Sequence, residues 1–102
     1  MDEPVVLGGT YYWLVTTYKD DEVWDITGAT VTHYFRTPDN DVKSAVMTIL
    51  NGPDGTAFHI NASDIFDEKG IWEHSYKVEL SGIEVESAPE EFTVYKSLSA
   101  MA

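Results

Sequence analysis

Cysteine is absent from the 102 residues, so the chain has no disulfide framework, no thiolate metal site and no cysteine nucleophile. Basic residues are scarce. Six Lys and Arg stand against 18 Asp and Glu, a formal charge of −12 at pH 7. A surface of that sign repels phosphate backbones, so no nucleic-acid partner is expected; it keeps a free subunit soluble and suits a basic partner. No apolar run approaches the length of a membrane span, so no membrane partner is expected either. Met1-Asp2-Glu3-Pro4 lacks the basic-then-apolar layout of a secretory signal, and the expectation is a soluble protein made and used without export. There is no nucleophile elbow, no glycine-rich phosphate loop and no His-Glu metal helix. Glu90-Glu91 stand beside Pro89 in an expected turn, where they are solvated rather than tuned. A protein that is not an enzyme, with no catalytic residues, cofactor or metal, is the expectation.

What the chain does have is aromatic residues, at 13% of its length, which argues for a packed core over disorder. Its length suits one domain over 1–102, with 1–8 as a peripheral arm and 97–102 as a peripheral tail.

The clearest pattern runs from Trp24 to Arg36. A polar turn (Asp25, Thr27, Gly28) leads into strict alternation, with Ala29, Val31, His33 and Phe35 on one face and Thr30, Thr32, Tyr34 and Arg36 on the other. Period two with β-branched and aromatic residues predicts a half-buried strand. Before it, Val5-Val6-Leu7 reads as a short edge strand, and Thr10–Tyr18 as a strand with Tyr11, Trp13 and Val15 inward. Lys19-Asp20-Asp21-Glu22 is a charged turn between them.

After it, the turn Thr37–Asp41 returns the chain into a strand over Val42–Leu50, which Asn51-Gly52-Pro53-Asp54-Gly55 ends. Thr56–Ile60 alternates, and its apolar residues place Phe58 and Ile60 inward and His59 outward. Ser63 or Asp64 is expected to cap one short helical turn through Phe66. Ile71–Leu80 is the second long alternating strand, with Trp72, His74, Tyr76, Val78 and Leu80 on one face. A short strand over Glu84–Ser87 follows the Ser81-Gly82 turn, Pro89 breaks it, and Phe92–Tyr95 closes the fold. About seven strands with frequent turns predict an all-β, antiparallel β-sandwich.

Four groups of residues are candidate sites. His33 and His74 fall on the apolar phases of strands that neighbour each other in such a sandwich, which brings them within reach of each other without deciding whether they touch; each is read as a hydrogen-bonded, neutral core or rim histidine. A metal pair or a pH switch is the lesser alternative, since two histidines without a third ligand make no zinc motif. Asp20-Asp21-Glu22 and Asp39-Asn40-Asp41 offer oxygen ligands but lack the EF-hand layout, and read as solvated turns. Asn61-Ala62-Ser63 matches the glycosylation sequon and is read as a chance match. Tyr12, Leu14, Tyr18, Tyr34 and Tyr95 fall on outward phases, and are the candidate interface if several share one sheet.

The run Asp25-Ile26-Thr27-Gly28-Ala29-Thr30-Val31, its alternating continuation and the Arg36-Thr37-Pro38-Asp39 turn resemble the immunoglobulin-like domain at the N-terminus of phage baseplate upper proteins and related virion proteins. Asn61-Ala62-Ser63-Asp64-Ile65 ahead of Gly70-Ile71-Trp72, and Glu86–Val94, continue the likeness in register over roughly Gly8 to Lys96. The resemblance implies an immunoglobulin-like sandwich. It also implies a virion structural subunit, made in the host cytoplasm, that docks on a larger capsid or tail protein as a homo-oligomer or in many symmetric copies. Its place would be as a head decoration (cement) protein or as a tail or baseplate module. A carbohydrate- or cell-surface-binding module is the alternative, because exposed Tyr and Trp beside acidic groups also suit sugars.

Overall fold

The alternation of residues 29–36 becomes a strand whose odd-numbered side chains are buried and whose even-numbered ones face out. The structure is a computed structural model that describes residues 5–98; the remainder of the expected arm and tail, 1–4 and 99–102, lies outside the described residues. Its strands are β1 (Val5–Val6), β2 (Tyr12–Thr16), β3 (Tyr18–Lys19), β4 (Glu22–Val23), β5 (Thr30–Arg36) and β6 (Val42–Val46). They continue as β7 (Thr48–Asn51), β8 (Thr56–Ile60), β9 (Gly70–Leu80), β10 (Ile83–Glu86) and β11 (Glu90–Tyr95).

The chain forms an all-β sandwich. One six-stranded sheet has the order β1-β11-β9-β5-β6, with β10 added to the outer part of β9, and a three-stranded sheet has the order β2-β8-β7. β3 and β4 form a hairpin of their own, turned by Asp20 and Asp21 with φ of 54° and 66°. Among the described residues pairing is antiparallel except at one place: β1 runs parallel to β11, with Val5 beside Val94, so the larger sheet is mixed. β1 thus makes the edge strand expected there.

Three local expectations are corrected. The run 42–50, expected as one strand, changes sheet: β6 pairs with β5, Met47 leaves the ladder to donate its N–H to Val31 O, and β7 pairs with β8. A strand that crosses from one layer to the other makes a corner of the sandwich. Met47 fills that corner and is buried. Secondly, no helical turn forms at 62–66. Ile65 N–H reaches Ala62 O in a simple turn, and Lys43 fixes the segment from across β6 by donating to Ile65 O and Asp67 Oδ1. Thirdly, Phe58 and Ile60 do not point inward. Ala57 and His59 are buried and Ile60 is exposed.

The interruption between β10 and β11 falls where Pro89 removes a donor, as expected. Ser87 fills the gap: its N–H donates to Tyr76 O, and its Oγ accepts from Tyr76 N–H.

The core lies between the sheets. Trp13 enters from the smaller sheet, and Val31, Phe35, Trp72, Val78 and Val94 enter from the larger, with Ile26 and Phe66 supplied by loops. Gly55 closes the turn before β8 with φ of 69°, and a Cβ there would lie 2.6 Å from Trp24 O and 2.8 Å from Thr17 Oγ1. Gly55→Ala combines left-handed strain with a backbone collision and is expected to cost about 2 kcal/mol. Urea denaturation would register this as a lower midpoint at unchanged slope.

Candidate functional site

Two features stand out, one inside the sandwich and one on its surface. Inside, three histidines form a chain. His33 Nδ1 lies 2.6 Å from His59 Nε2, and His33 Nε2 lies 2.9 Å from His74 Nδ1. His33 and His74 come from neighbouring strands of the larger sheet, as expected, while His59 reaches across from β8 in the smaller one. His33 is fully buried, with Tyr76 stacked on it at 4.3 Å and Phe35 at 4.1 Å between ring centroids. Trp13 packs against all three imidazoles.

Burial sets the protonation of the chain. Desolvation, then the positive charge that His74 and His59 would carry, pushes His33 down to about 2. Burial lowers His59, and lowers His74 against the opposing pull of Glu90. All three rings are therefore neutral at pH 7, each with one N–H to give and one lone pair to accept.

The contacts are hydrogen bonds rather than shared metal ligation. Two imidazole nitrogens on one tetrahedral zinc lie roughly 3.4 Å apart. Both contacts here are shorter, and His33 spends both nitrogens in opposite directions. Among the described residues no group of three or more His, Asp or Glu is placed to hold a metal ion.

The third histidine was hidden by phase. Thr56–Ile60 carries apolar residues on both faces, and hydrophobicity alone favours Phe58 and Ile60 as the inner pair. A histidine on the same face as a small alanine, Ala57, was the available signal for the opposite choice.

Asn61 is a second buried polar centre, beside Trp13. Its Oδ1 accepts from Tyr11 N–H at 2.8 Å and from Trp13 Nε1–H at 3.0 Å, and its Nδ2 donates to Gly9 O and Ala62 O, both at 2.9 Å. The sequon asparagine is thus a structural clamp between the segment before β2 and the end of β8, with its amide buried. Asn61→Ala strands those four partners and is expected to lower stability by about 2 to 3 kcal/mol. Thermal melting monitored by tryptophan fluorescence would detect it, since Trp13 loses its partner.

The acidic loops are turns. Asn40 takes φ of 69° in a loop closed by Thr37 N–H to Asp41 O at 2.8 Å and by Asp41 N–H to Thr37 Oγ1 at 3.1 Å. Glu68 faces this loop, and its carboxyl is pushed up by desolvation, a hydrogen bond to Asp39 and the charges of Asp39, Asp67 and Asp41.

On the surface, the five aromatic and apolar candidates separate into three places. Tyr12 and Leu14 lie side by side on the outer face of the three-stranded sheet, 55% and 52% exposed. Directly opposite them in β8 stand Ile60, 63% exposed, and Phe58, whose ring stacks on Tyr12 at 5.3 Å and 15°. Tyr18 is on the β3–β4 hairpin. Tyr34 and Tyr95 face outward from the larger sheet at separate places: Tyr34 pairs with Ser75 in the middle of β9, and Val94, next to Tyr95, pairs with Gly70 at its start. Tyr34 is only half exposed and lines a shallow depression of about 440 Å³ with Arg36, Glu73, Ser75, Lys77 and Glu86. Ion pairs from Arg36 to Glu73 and from Lys77 to Glu79 and Glu84 engage its two cations. Only Tyr12 and Leu14 among the five therefore share a patch, and Phe58 and Ile60 complete it.

Compared with known proteins, the chain matches no protein-family model and no curated protein.

Proposed function

We propose that this protein is a non-enzymatic structural subunit of a phage particle that docks on a larger virion protein through the outer face of its three-stranded sheet. The observation that carries the proposal is the contiguous apolar face of Tyr12, Leu14, Phe58 and Ile60. Apolar side chains at adjacent positions on two paired strands make one patch, and a patch of this kind on a small protein is where a partner binds. Strand order supports the reading. A β1-β11-β9-β5-β6 sheet facing a β2-β8-β7 sheet follows the arrangement of immunoglobulin-like sandwiches, the class the sequence resembles.

The charge of −12 gives the partner a sign. Around an apolar centre, an acidic surface favours a basic rim on the partner, steers the encounter and opposes self-association of the free subunit.

Binding of the purified chain to intact particles of the phage whose genome encodes it is the test. Co-sedimentation is expected for the native chain. Tyr12→Ser combined with Leu14→Ser should weaken it at least about tenfold while lowering stability by no more than about 1 to 2 kcal/mol, the loss of two exposed cross-strand pairs. Glycan binding is the second reading, favoured by the Tyr12–Phe58 stack as a platform for a sugar ring. Retention of the chain on polysaccharide with no affinity for particles would replace the first reading with that one.

A further inference from the structure

The geometry of the histidine chain fixes its proton capacity. Three imidazoles have six ring nitrogens, and four of these face one another in the two contacts. Each contact is a hydrogen bond only when it holds one hydrogen. Two hydrogens in the contacts and one on each terminal nitrogen make four, whereas three neutral rings carry three. One extra proton therefore enters with both bonds intact. A second sets N–H against N–H across 2.6 or 2.9 Å.

The two contacts do not resist such a clash equally. His33 and His74 belong to β5 and β9, whose backbone ladder continues on both sides of them. His33 and His59 belong to different sheets, with no ladder between them. We propose that the chain is an acid-opened latch between the two sheets: it takes one extra proton at its His74 end, and the second parts His59 from His33 and loosens the three-stranded sheet.

The surroundings favour that order. The free nitrogens of the chain are His59 Nδ1 and His74 Nε2. Glu90, paired with His74 across β9 and β11, attracts a proton to that end, while His59 meets only desolvation. Tyr76, stacked on His33, is pushed up to about 12 by burial and by Glu90, and stays neutral. β2 presents Trp13 and β5 presents Phe35, which do not titrate, and β6 places Ala45 opposite His33. The depression that reaches His74 adds Arg36, Glu73, Lys77 and Glu86, of which the first two are paired with each other and Lys77 with Glu79 and Glu84. The latch rests on these contacts alone, whatever occupies the outer face.

Imidazole ¹⁵N spectra of the full chain, recorded from pH 8 to pH 4 with amide exchange measured alongside, test it. At neutral pH, nitrogen–nitrogen couplings are expected across both contacts. On acidification one proton enters the folded protein at His74 with both couplings kept. At lower pH the His33–His59 coupling disappears, and β7 and β8 amides exchange at least about tenfold faster relative to β9 after correction for intrinsic rates. Three independent titrations near pH 6.5 in the folded state would overturn the proposal. So would unchanged protection of β8 after two protons have entered. His59→Phe keeps a ring and removes the clash, so it should lose the acid-specific opening; the same opening in that variant would also overturn the latch. If that variant does not fold, the couplings and exchange of the native chain decide the matter.

Discussion

Trp13→Ala is expected to lower folding stability by about 4 kcal/mol, a large part of what a domain of this size possesses. The indole comes from the smaller sheet and spans the space to the larger one. Its ring lies 5.0 Å from His33, 5.4 Å from Phe35, 5.3 Å from His74 and 5.9 Å from Phe92, centroid to centroid. The smaller sheet offers few other large side chains to the interior. Ala57 and His59 are its other buried residues and Val15 and Ile49 are only partly buried, so the smaller sheet itself has little with which to fill the space that alanine would leave. The loss has a polar part too, since Trp13 Nε1–H donates to Asn61 Oδ1 at 3.0 Å. Trp13→Phe keeps most of the ring area and should cost about half as much. Urea unfolding followed by circular dichroism measures both; a loss below about 1 kcal/mol for the alanine variant would place the centre of the core elsewhere.

Acid is expected to destabilise the protein through the same group of residues. In the unfolded chain each histidine binds a proton near pH 6.5, whereas in the folded chain His33 binds one only at about pH 2. The unfolded state thus holds more protons throughout that window. Stability is whole above pH 6.5 and falls as the pH drops from there towards 2. His33, fully buried, accounts for about 2 kcal/mol between pH 6.5 and pH 4.5, and His59 and His74 add to it in the same direction. Protonation of surface carboxylates reduces the charge of −12 and works the other way by relieving repulsion. Comparison with His33→Leu isolates the histidine contribution: the stability–pH curve of the native chain should be steeper over this range by about one proton. Equal slopes for the two proteins would mean that His33 is not held neutral by the fold.

Much of this arrangement was legible in the residues, for local reasons. Thr30–Arg36 and Gly70–Leu80 are long enough that alternation names their inner faces, which put His33 and His74 on neighbouring strands facing inward; that the two rings touch was decided by the structure. Tyr12 and Leu14 were correctly outward because Trp13, the bulkiest neighbour, sets the phase of β2. The run 42–50 carries no Gly or Pro to mark that the strand changes partners at Met47, and a strand looks the same to its own residues in either sheet. At 62–66 a good capping residue suggested a helix, but Lys43, from another strand, holds that segment in a different shape.

The sequence by itself determined that this is an all-β chain with aromatic interior faces, because strand periodicity and turn chemistry act over a few neighbouring residues. Only the tertiary structure decided the facing of β8. Its two sides are both plausible interiors, and the choice fell to what stood opposite: a fully buried His33, whose second nitrogen needed a partner, and Trp13, beside which an imidazole fits. A hydrogen bond between residues 26 positions apart leaves no trace in local periodicity, and with that one choice Phe58 and Ile60 went to the surface, where they complete the apolar face.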